Sequence, residues 1–160
     1  MALVMSLINF IVTVYGCTTK NLVKIADNVV RALARLILFK GKYDSVSTCI
    51  RDDLKWMLPS KMCDYKSLCY MFQIAKLNQV PYFTNTNCFN PVSSRHMYET
   101  RQSEYDYAIN VKVKSESART MFAVRAVGLW NDLSPELKSE ECYSKFKAKL
   151  KELYCSKKSV

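Results

Sequence analysis

Glycine, proline and histidine are scarce in this chain of 160 residues, which has 3 Gly, 4 Pro and a single His. With 49% hydrophobic residues, this scarcity argues against a disordered or low-complexity chain and favours a helical one. The length fits one domain with a real core. We therefore expect a mainly α protein, a compact single-domain helical bundle over residues 1–160, with at most one short β-hairpin or strand pair near 105–114.

Side chains that bind metals or carry out catalysis are also few. The only histidine, His96, lies in a predicted loop after Cys88, and no two cysteines have C-x-x-C spacing, so we expect neither a zinc knuckle nor a Cys–His nucleophile. Polymerase chemistry needs paired metal-binding aspartates, and the only adjacent aspartates, Asp52 and Asp53, fall at a predicted helix start. We expect no catalytic residue, no metal site, no cofactor and no small-molecule substrate.

The seven cysteines are odd in number, and their spacing matches no disulfide framework. A reducing compartment is the simpler interpretation, which predicts a nuclear or cytoplasmic location. Most of the cysteines are then expected to be small buried hydrophobic residues.

The N-terminal segment, residues 1–17, is apolar and carries no charged side chain. It lacks the positive start and the small-residue cleavage site of a signal peptide, and about 20 apolar residues are needed to span a bilayer. We therefore favour a buried helix or strand from a longer parent and do not expect a membrane protein. A signal peptide, which would make the chain a small secreted basic protein, stays an alternative.

The clearest predicted helix covers residues 20–38, and Thr18 or Thr19 can cap it. Apolar residues recur there at helical spacing and form a stripe that we expect to face the core. The stripe consists of Leu22, Ile25, Val29, Leu33 and Leu36. Four basic residues fall within about 60° of one another on the opposite side of the helix. This basic ridge consists of Lys20, Lys24, Arg31 and Arg35.

The helical half of the chain, residues 18–77, continues with a turn over residues 41–44 and a helix over 47–57 that has Asp52 and Asp53 in its early part. A third helix over 61–77 is apolar on several sides, which predicts the centre of the fold. Residues 78–104 are rich in Asn, Thr, Ser and Pro and predict a long loop.

The last part, residues 105–156, predicts a strand and two helices. Apolar and polar residues alternate over 107–113, which is typical of a half-exposed strand, and a helix follows over 118–131. The final helix is expected to begin near Ser139, with Ser139 as its cap, and residues 157–160 form a basic tail. The apolar stripe of this final helix consists of Tyr143, Phe146, Leu150, Leu153 and Tyr154. Four lysines, which we call the lysine row, flank that stripe: Lys145, Lys147, Lys149 and Lys151.

Basic residues outnumber acidic ones, 24 to 14, and the formal charge is +10. Such an excess attracts phosphate polyanions or anionic surfaces. The basic ridge and the lysine row are therefore the candidate contacts to RNA or DNA, although solvated helix faces would look the same. Trp56 and Trp130 could stack on bases, but their apolar neighbours favour core packing.

Residues 122–137 read FAVRAVGLWNDLSPEL, which resembles the F-x-x-R-[GA]-x-x-L-W-N-x-L-P-x-E-[IL] motif near the end of non-LTR (LINE-type) retrotransposon reverse-transcriptase polyproteins. Residues 144–151, SKFKAKLK, resemble the family's closing S-x-F-K-x-x-L-K helix. The matching positions that we single out are Phe122, Arg125, Leu129, Trp130, Asn131, Leu133, Phe146 and Leu150.

Further resemblance lies upstream, in the family's order. Trp56 and Tyr65 match its L-x-W-L-P-x-x-x-R-x-x-Y-K segment, and HMYETR, with Thr100 and Arg101, resembles its H-x-Y-x-T-R. Residues 15–18 are similar to the W-G-x-[TS] stretch that begins this region. The chain departs from the family where Leu58 and Ser134 stand in place of motif prolines, each followed by a proline.

The resemblance implies a detached, non-catalytic C-terminal piece of such a polyprotein. The parent enzyme is an RNA-directed DNA polymerase that binds its own RNA and a target DNA, and its catalytic parts lie upstream. The implied partners are RNA or DNA, through backbone contacts, and the upstream polymerase domain. A transposon-derived scaffold or protein-interaction module without nucleic-acid affinity is the alternative.

Overall fold

The computed structural model describes residues 20–77 and 121–156, together with residues 5–7, 10, 12, 79, 90–91, 107–108, 115 and 119. The fold is mainly α, as predicted. Its helices are α1 (Lys20–Ile37), α2 (Ser47–Asp52), α3 (Pro59–Ala75), α4 (Phe122–Asn131), α5 (Pro135–Lys138) and α6 (Tyr143–Ser156). Residues 5–7, 10 and 12 are also helical. The predicted basic tail, residues 157–160, lies outside the described residues, as do the candidate caps Thr18 and Thr19.

Helix α3 is the centre of the fold, because it packs against α1, α4 and α6. It begins at Pro59, which occupies its first turn, where a missing N–H costs nothing. The predicted helix over 61–77 therefore begins two residues earlier than expected, at Pro59, and ends at Ala75. Residues Tyr65, Leu68 and Phe72 are buried. The prediction of a helix buried on several sides is confirmed.

An aromatic cluster joins α3, α4 and α6. The rings of Phe72 and Phe146 are stacked with centroids 4.5 Å apart, and the centroid of Trp130 lies 6.0 Å from that of Phe146. Tyr143 adds a tilted contact to Phe72 at 5.8 Å. Phe72, Trp130 and Phe146 are 0–1% exposed. Aromatic side chains bury large areas at such distances, so this cluster holds the three helices together.

Two short strands, β1 (Asn90–Pro91) and β2 (Tyr107–Ala108), pair antiparallel. Asn90 lies opposite Ala108, and Pro91 lies opposite Tyr107. Helix α4 contacts β2. Tyr107 and Ala108, the first two residues of the predicted strand over 107–113, form β2, and β1 is its partner. The remainder of that strand and most of the predicted 78–104 loop lie outside the described residues.

The second helix is shorter than the predicted 47–57. It ends at Asp52, and the N–H of Trp56 bonds to the carbonyl of Ile50 at 2.9 Å. Lys55 has φ +50, in the left-handed region, which cannot continue a helix. Asp52 and Asp53 are therefore the last residue and the C-cap of α2, and the expectation that they start a helix is wrong.

The start of the final helix also differs from the prediction. Residues 135–138 form a separate turn, α5, and Ser139 is its C-cap, with its hydroxyl donating to the carbonyl of Glu136 at 3.0 Å. Helix α6 begins at Tyr143. Pro135 favours the first turn of a helix, so a short separate helix, α5, begins there. The residue that was predicted to begin the final helix, Ser139, caps the end of α5 instead.

Helix α1 faces the core with a different side from the predicted one. Val23, Asp27, Val30 and Ala34 are buried, whereas Leu22, Ile25, Val29 and Leu36 are 44–72% exposed. Asp27 explains this choice, because its Oδ1 accepts a hydrogen bond of 3.0 Å from the N–H of Ser60. The first N–H groups of α3 have no partner within the helix, and a carboxylate there is favoured by the helix dipole. The expected inward stripe of α1 is therefore an exposed apolar stripe.

Phe39 should be replaceable by glycine with a gain in stability. Its φ is +51, the N–H of Lys40 bonds to the carbonyl of Arg35 at 2.9 Å, and the side chain is 97% exposed. This is a helix end that favours glycine, and a left-handed conformation costs other residues about 1 kcal/mol. We expect Phe39→Gly to raise the free energy of unfolding by about 1 kcal/mol in urea titrations. Lys40→Gly is the control, since it adds flexibility without relieving strain, and it should destabilise.

Candidate nucleic-acid interface

The basic ridge of α1 contains two exposed and two partly buried cations. Lys20 and Lys24 are exposed. Arg31 donates from Nη1 to Oδ1 of Asn28 at 3.2 Å, and Arg35 donates from Nε to the carbonyl of Asp44 at 3.4 Å. Asp44 also accepts a hydrogen bond from the N–H of Gly41 at 2.8 Å, within the predicted turn. Short local bonds therefore hold the two guanidinium groups in place.

The lysine row of α6 lies on the exposed side of a helix whose apolar face is buried in the core. Phe146 and Leu150 are fully buried, and Lys145, Lys147, Lys149 and Lys151 are exposed. Lys149 forms an ion pair with Glu140, and this hydrogen bond raises the pKa of Lys149. The row therefore presents its charges to solvent, although Lys149 shares its charge with a carboxylate.

A cavity of about 300 Å³, the Trp56 cavity, lies where α1, α2, α3 and α6 approach one another. Trp56 and Met57 line it beside three cations, Arg31, Arg51 and Lys61. Arg31 was a predicted contact, and Trp56 was a predicted core residue. Arg51 and Lys61 were missed, because no spacing in the sequence connects them to Arg31 across three helices.

A second, smaller cavity of about 220 Å³, the tyrosine cleft, separates α3 from the start of α6. Tyr65, Cys69 and Tyr143 line it together with Lys66 and Lys147. Burial raises the pKa of the Cys69 thiol and of the Tyr65 hydroxyl, so both stay protonated at neutral pH. The cleft thus joins neutral hydrogen-bonding groups to two cations.

The two cavities lie along one face of α6. Lys147, Lys151 and Cys155 are four residues apart in turn, a spacing that places side chains on one side of a helix. Lys147 lines the tyrosine cleft, and Cys155 lines the Trp56 cavity. Lys151 is exposed and stands between them. The fold therefore brings part of the lysine row and Arg31 of the basic ridge into one region.

The residues of the retrotransposon-like motif have packing roles in the described structure. Trp130, Phe146 and Leu150 are buried in the core, and Leu129 and Leu133 pack against it. Phe122 makes an edge contact with Tyr70, with ring centroids 6.4 Å apart. Thr100 and Arg101 lie outside the described residues, and so does His96.

Two polar contacts also involve this motif. Arg125 donates from Nη2 to Oδ1 of Asp64 at 2.6 Å, which ties α4 to α3. Burial raises the pKa of Asp64 and outweighs the opposing effect of Arg125. Lys138, only 5% exposed, donates from Nζ to the carbonyl of Asn131 at 2.8 Å, which satisfies the end of α4. Sequence reasoning missed Asp64 and Lys138.

The acidic and cysteine residues that the structure describes form no cluster that resembles a metal site. Arg51 binds Asp52 at 2.8 Å and, through this hydrogen bond, lowers the pKa of that carboxyl. Within the described part of the chain, no three His, Cys, Asp or Glu side chains converge. The described cysteines are free thiols, with Cys63 and Cys69 buried. The other three, Cys49, Cys142 and Cys155, have partly or fully exposed side chains, so among the described cysteines the buried ones are a minority, against the expectation that most are buried.

In comparisons with known protein families, characterised proteins and solved structures, nothing matches this chain. The retrotransposon resemblance therefore stays a prediction. Among the described residues, no helix has the length and apolar character that crossing a bilayer requires.

Replacing Arg125 by glutamine should destabilise the protein in a pH-dependent way. The Asp64 and Arg125 side chains are 24% and 25% exposed, so the variant leaves a partly buried carboxylate without its cation. We expect a loss of about 1–3 kcal/mol near pH 7. With the folded-state pKa of Asp64 raised further, protonation relieves the cost, so the loss should shrink as the pH falls through that pKa. The measurement is urea unfolding at several pH values.

Arg51→Gln is the matched control for this experiment. Its partner Asp52 has a side chain that is 60% exposed, and exposed pairs contribute little to stability. The control should therefore unfold close to the wild type. A deficit in Arg125→Gln that is the same at acid and neutral pH would show that the ion pair is not its cause.

Cys142 should react faster with iodoacetamide than Cys69. The backbone N–H groups of Lys145 and Ser144 lower the pKa of the exposed Cys142 thiol, whereas burial raises that of Cys69. A lower pKa gives more thiolate at neutral pH, and the thiolate is the species that reacts. The check is site-resolved mass spectrometry across a pH series, with the urea-unfolded chain as control. Earlier labelling of Cys69 would contradict this assignment.

Proposed function

We propose that this chain is a non-catalytic fragment from the C-terminal region of a non-LTR retrotransposon reverse transcriptase, and that it binds RNA or DNA through phosphate contacts. The order of five separate motif matches supports the origin. The support for binding is the placement of cations: the exposed lysines of α1 and α6 lie outside a closed aromatic core. Phosphate contacts of this kind position a strand without reading its bases. The charge of the whole chain, +10, favours the same kind of partner.

Phosphate binding of this kind needs no reaction centre. The motif residues Trp130 and Arg125 have packing and ion-pair roles. The adjacent aspartates end a short helix beside Arg51. A helper that holds the template or target strand for an upstream polymerase domain needs charge and shape, and these are what α1 and α6 provide.

Replacing the basic ridge should abolish binding to RNA. The variant carries Lys20→Gln, Lys24→Gln, Arg31→Gln and Arg35→Gln. Its matched control removes the same charge elsewhere, by Lys40→Gln, Lys42→Gln, Lys55→Gln and Lys76→Gln. Fluorescence anisotropy with labelled RNA should show loss of binding in the first variant and a smaller loss in the control. Equal losses would mean that net charge, and not this ridge, attracts the strand.

Binding should also weaken steeply as salt is added. Eight phosphate contacts on duplex DNA would give a log–log slope of about −7. Because Lys149 is paired with Glu140, we expect seven contacts or fewer and a slope of about −6 or shallower. Affinity that does not change with salt would contradict the proposal.

A protein-docking scaffold without nucleic-acid affinity is the second candidate, and one observation favours it. Leu22, Ile25, Val29 and Leu36 of α1 form an exposed apolar stripe, and exposed apolar patches often mark protein interfaces. Ile25→Ser with Val29→Ser should then abolish association with the upstream polymerase domain in a pull-down. Under the nucleic-acid proposal, the same variant keeps its RNA affinity.

A further inference from the structure

The Trp56 cavity joins an aromatic ring to cations from three helices. Trp56 is partly exposed, unlike Trp130, which is 1% exposed. We propose that this cavity binds one unpaired base of a nucleic-acid strand by stacking on Trp56, with the adjacent phosphates on Arg31 and Lys61. The inference rests on the proposed function and adds to it a preference for single strands over duplexes.

The walls of the cavity suit a base. Met57, Leu58 and Ile50 supply apolar surface beside the indole of Trp56. The volume, about 300 Å³, is at the lower end of the range for small-ligand sites, about 300–1,000 Å³. Every base has a π-face, so stacking on an aromatic side chain accepts any of them.

The charges around the cavity suit a phosphate. Arg31 and Lys61 are partly exposed, and they come from two of the helices that line the cavity, α1 and α3. Arg51 donates from Nε and Nη2 to Asp52, so an anion would share this third guanidinium with a carboxylate. Burial raises the pKa of Tyr154 to about 12, so its hydroxyl stays protonated and can donate.

The surface beyond the cavity allows a strand to continue. Lys151 stands on the face of α6 that leads from Cys155, at the cavity, to Lys147 at the tyrosine cleft. Lys66 of α3 adds a cation at that cleft. A backbone passing from one cavity to the other would meet cations along its path, while duplex DNA would keep its bases away from Trp56.

Trp56 can be tested directly, because Trp130 is its internal reference. The full chain is titrated with oligo(dT) and with an abasic deoxyribose-phosphate strand of the same length, and tryptophan fluorescence and labelled-strand anisotropy are followed. We expect oligo(dT) to quench the fluorescence and to bind at least about fivefold more tightly than the abasic strand. Trp56→Phe should remove the quenching and leave the emission of Trp130 unchanged. Trp56→Leu should reduce the preference for oligo(dT), with circular dichroism to check folding.

The outcomes separate this inference from the proposed function. Quenching by oligo(dT) that disappears in Trp56→Phe supports the base site, even if Trp56→Leu fails to fold. Equal affinity for both strands with no quenching overturns the base site and leaves phosphate binding intact. Failure to bind either strand overturns both. Arg31→Gln compared with Lys20→Gln gives an independent check: only the first lines the cavity, so it should weaken oligo(dT) binding more.

Discussion

The stacking of Phe72 on Phe146, with Trp130 at the edge of the pair, is the contact on which the rest of the structure depends. These rings come from α3, α6 and α4, and all are buried. Each helix alone exposes an apolar face that water disfavours, so burying the three faces together drives their association. Because α3 is covered on this side by α4 and α6, α1 packs elsewhere on it, where Asp27 meets the N–H of Ser60.

The position of the cations follows from this core. In α6, Phe146 and Leu150 are one turn apart and point inward, which leaves the four neighbouring lysines outside. In α1, the bond from Ser60 to Asp27 turns Val30 and Ala34 toward α3. The basic ridge then lies beside the buried face, and Arg31 reaches the Trp56 cavity. Core packing thus determines which charges face solvent.

Hydrophobic periodicity predicted the helices well where only one side of a helix is apolar. The buried stripe of α6, which includes Phe146 and Leu150, fits this rule, and burial of α3 was predicted because its apolar residues lie on several sides. Helix α1 has two apolar sides, and its periodicity predicted that the side with the larger side chains faces the core. The contact that decides between them joins residues 33 positions apart, and local spacing carries no information about it.

Local sequence spacing also carries no information about where α2 ends or which residues line the Trp56 cavity. Lys55, three residues after the end of α2, has a positive φ. This conformation favours glycine, so the residue type at position 55 gave no signal that the helix stops. The Trp56 cavity gathers side chains from four helices, and of these only Arg31 and Tyr154 stood in a recognisable pattern. The basic ridge and the lysine row could be listed from the sequence, but that Arg31 reaches the Trp56 cavity and Lys147 the tyrosine cleft depends on the tertiary packing of α1, α3 and α6.

The unfolding free energy of Phe146→Ala tests most directly whether the aromatic cluster closes the core beneath these cations. Phe146 is fully buried, and removing such a side chain costs about 3–5 kcal/mol. Urea titration, with the exposed Phe39→Ala for comparison, should show a loss of this size at position 146 and little or none at position 39. Equal unfolding of both variants and the wild type would contradict the account.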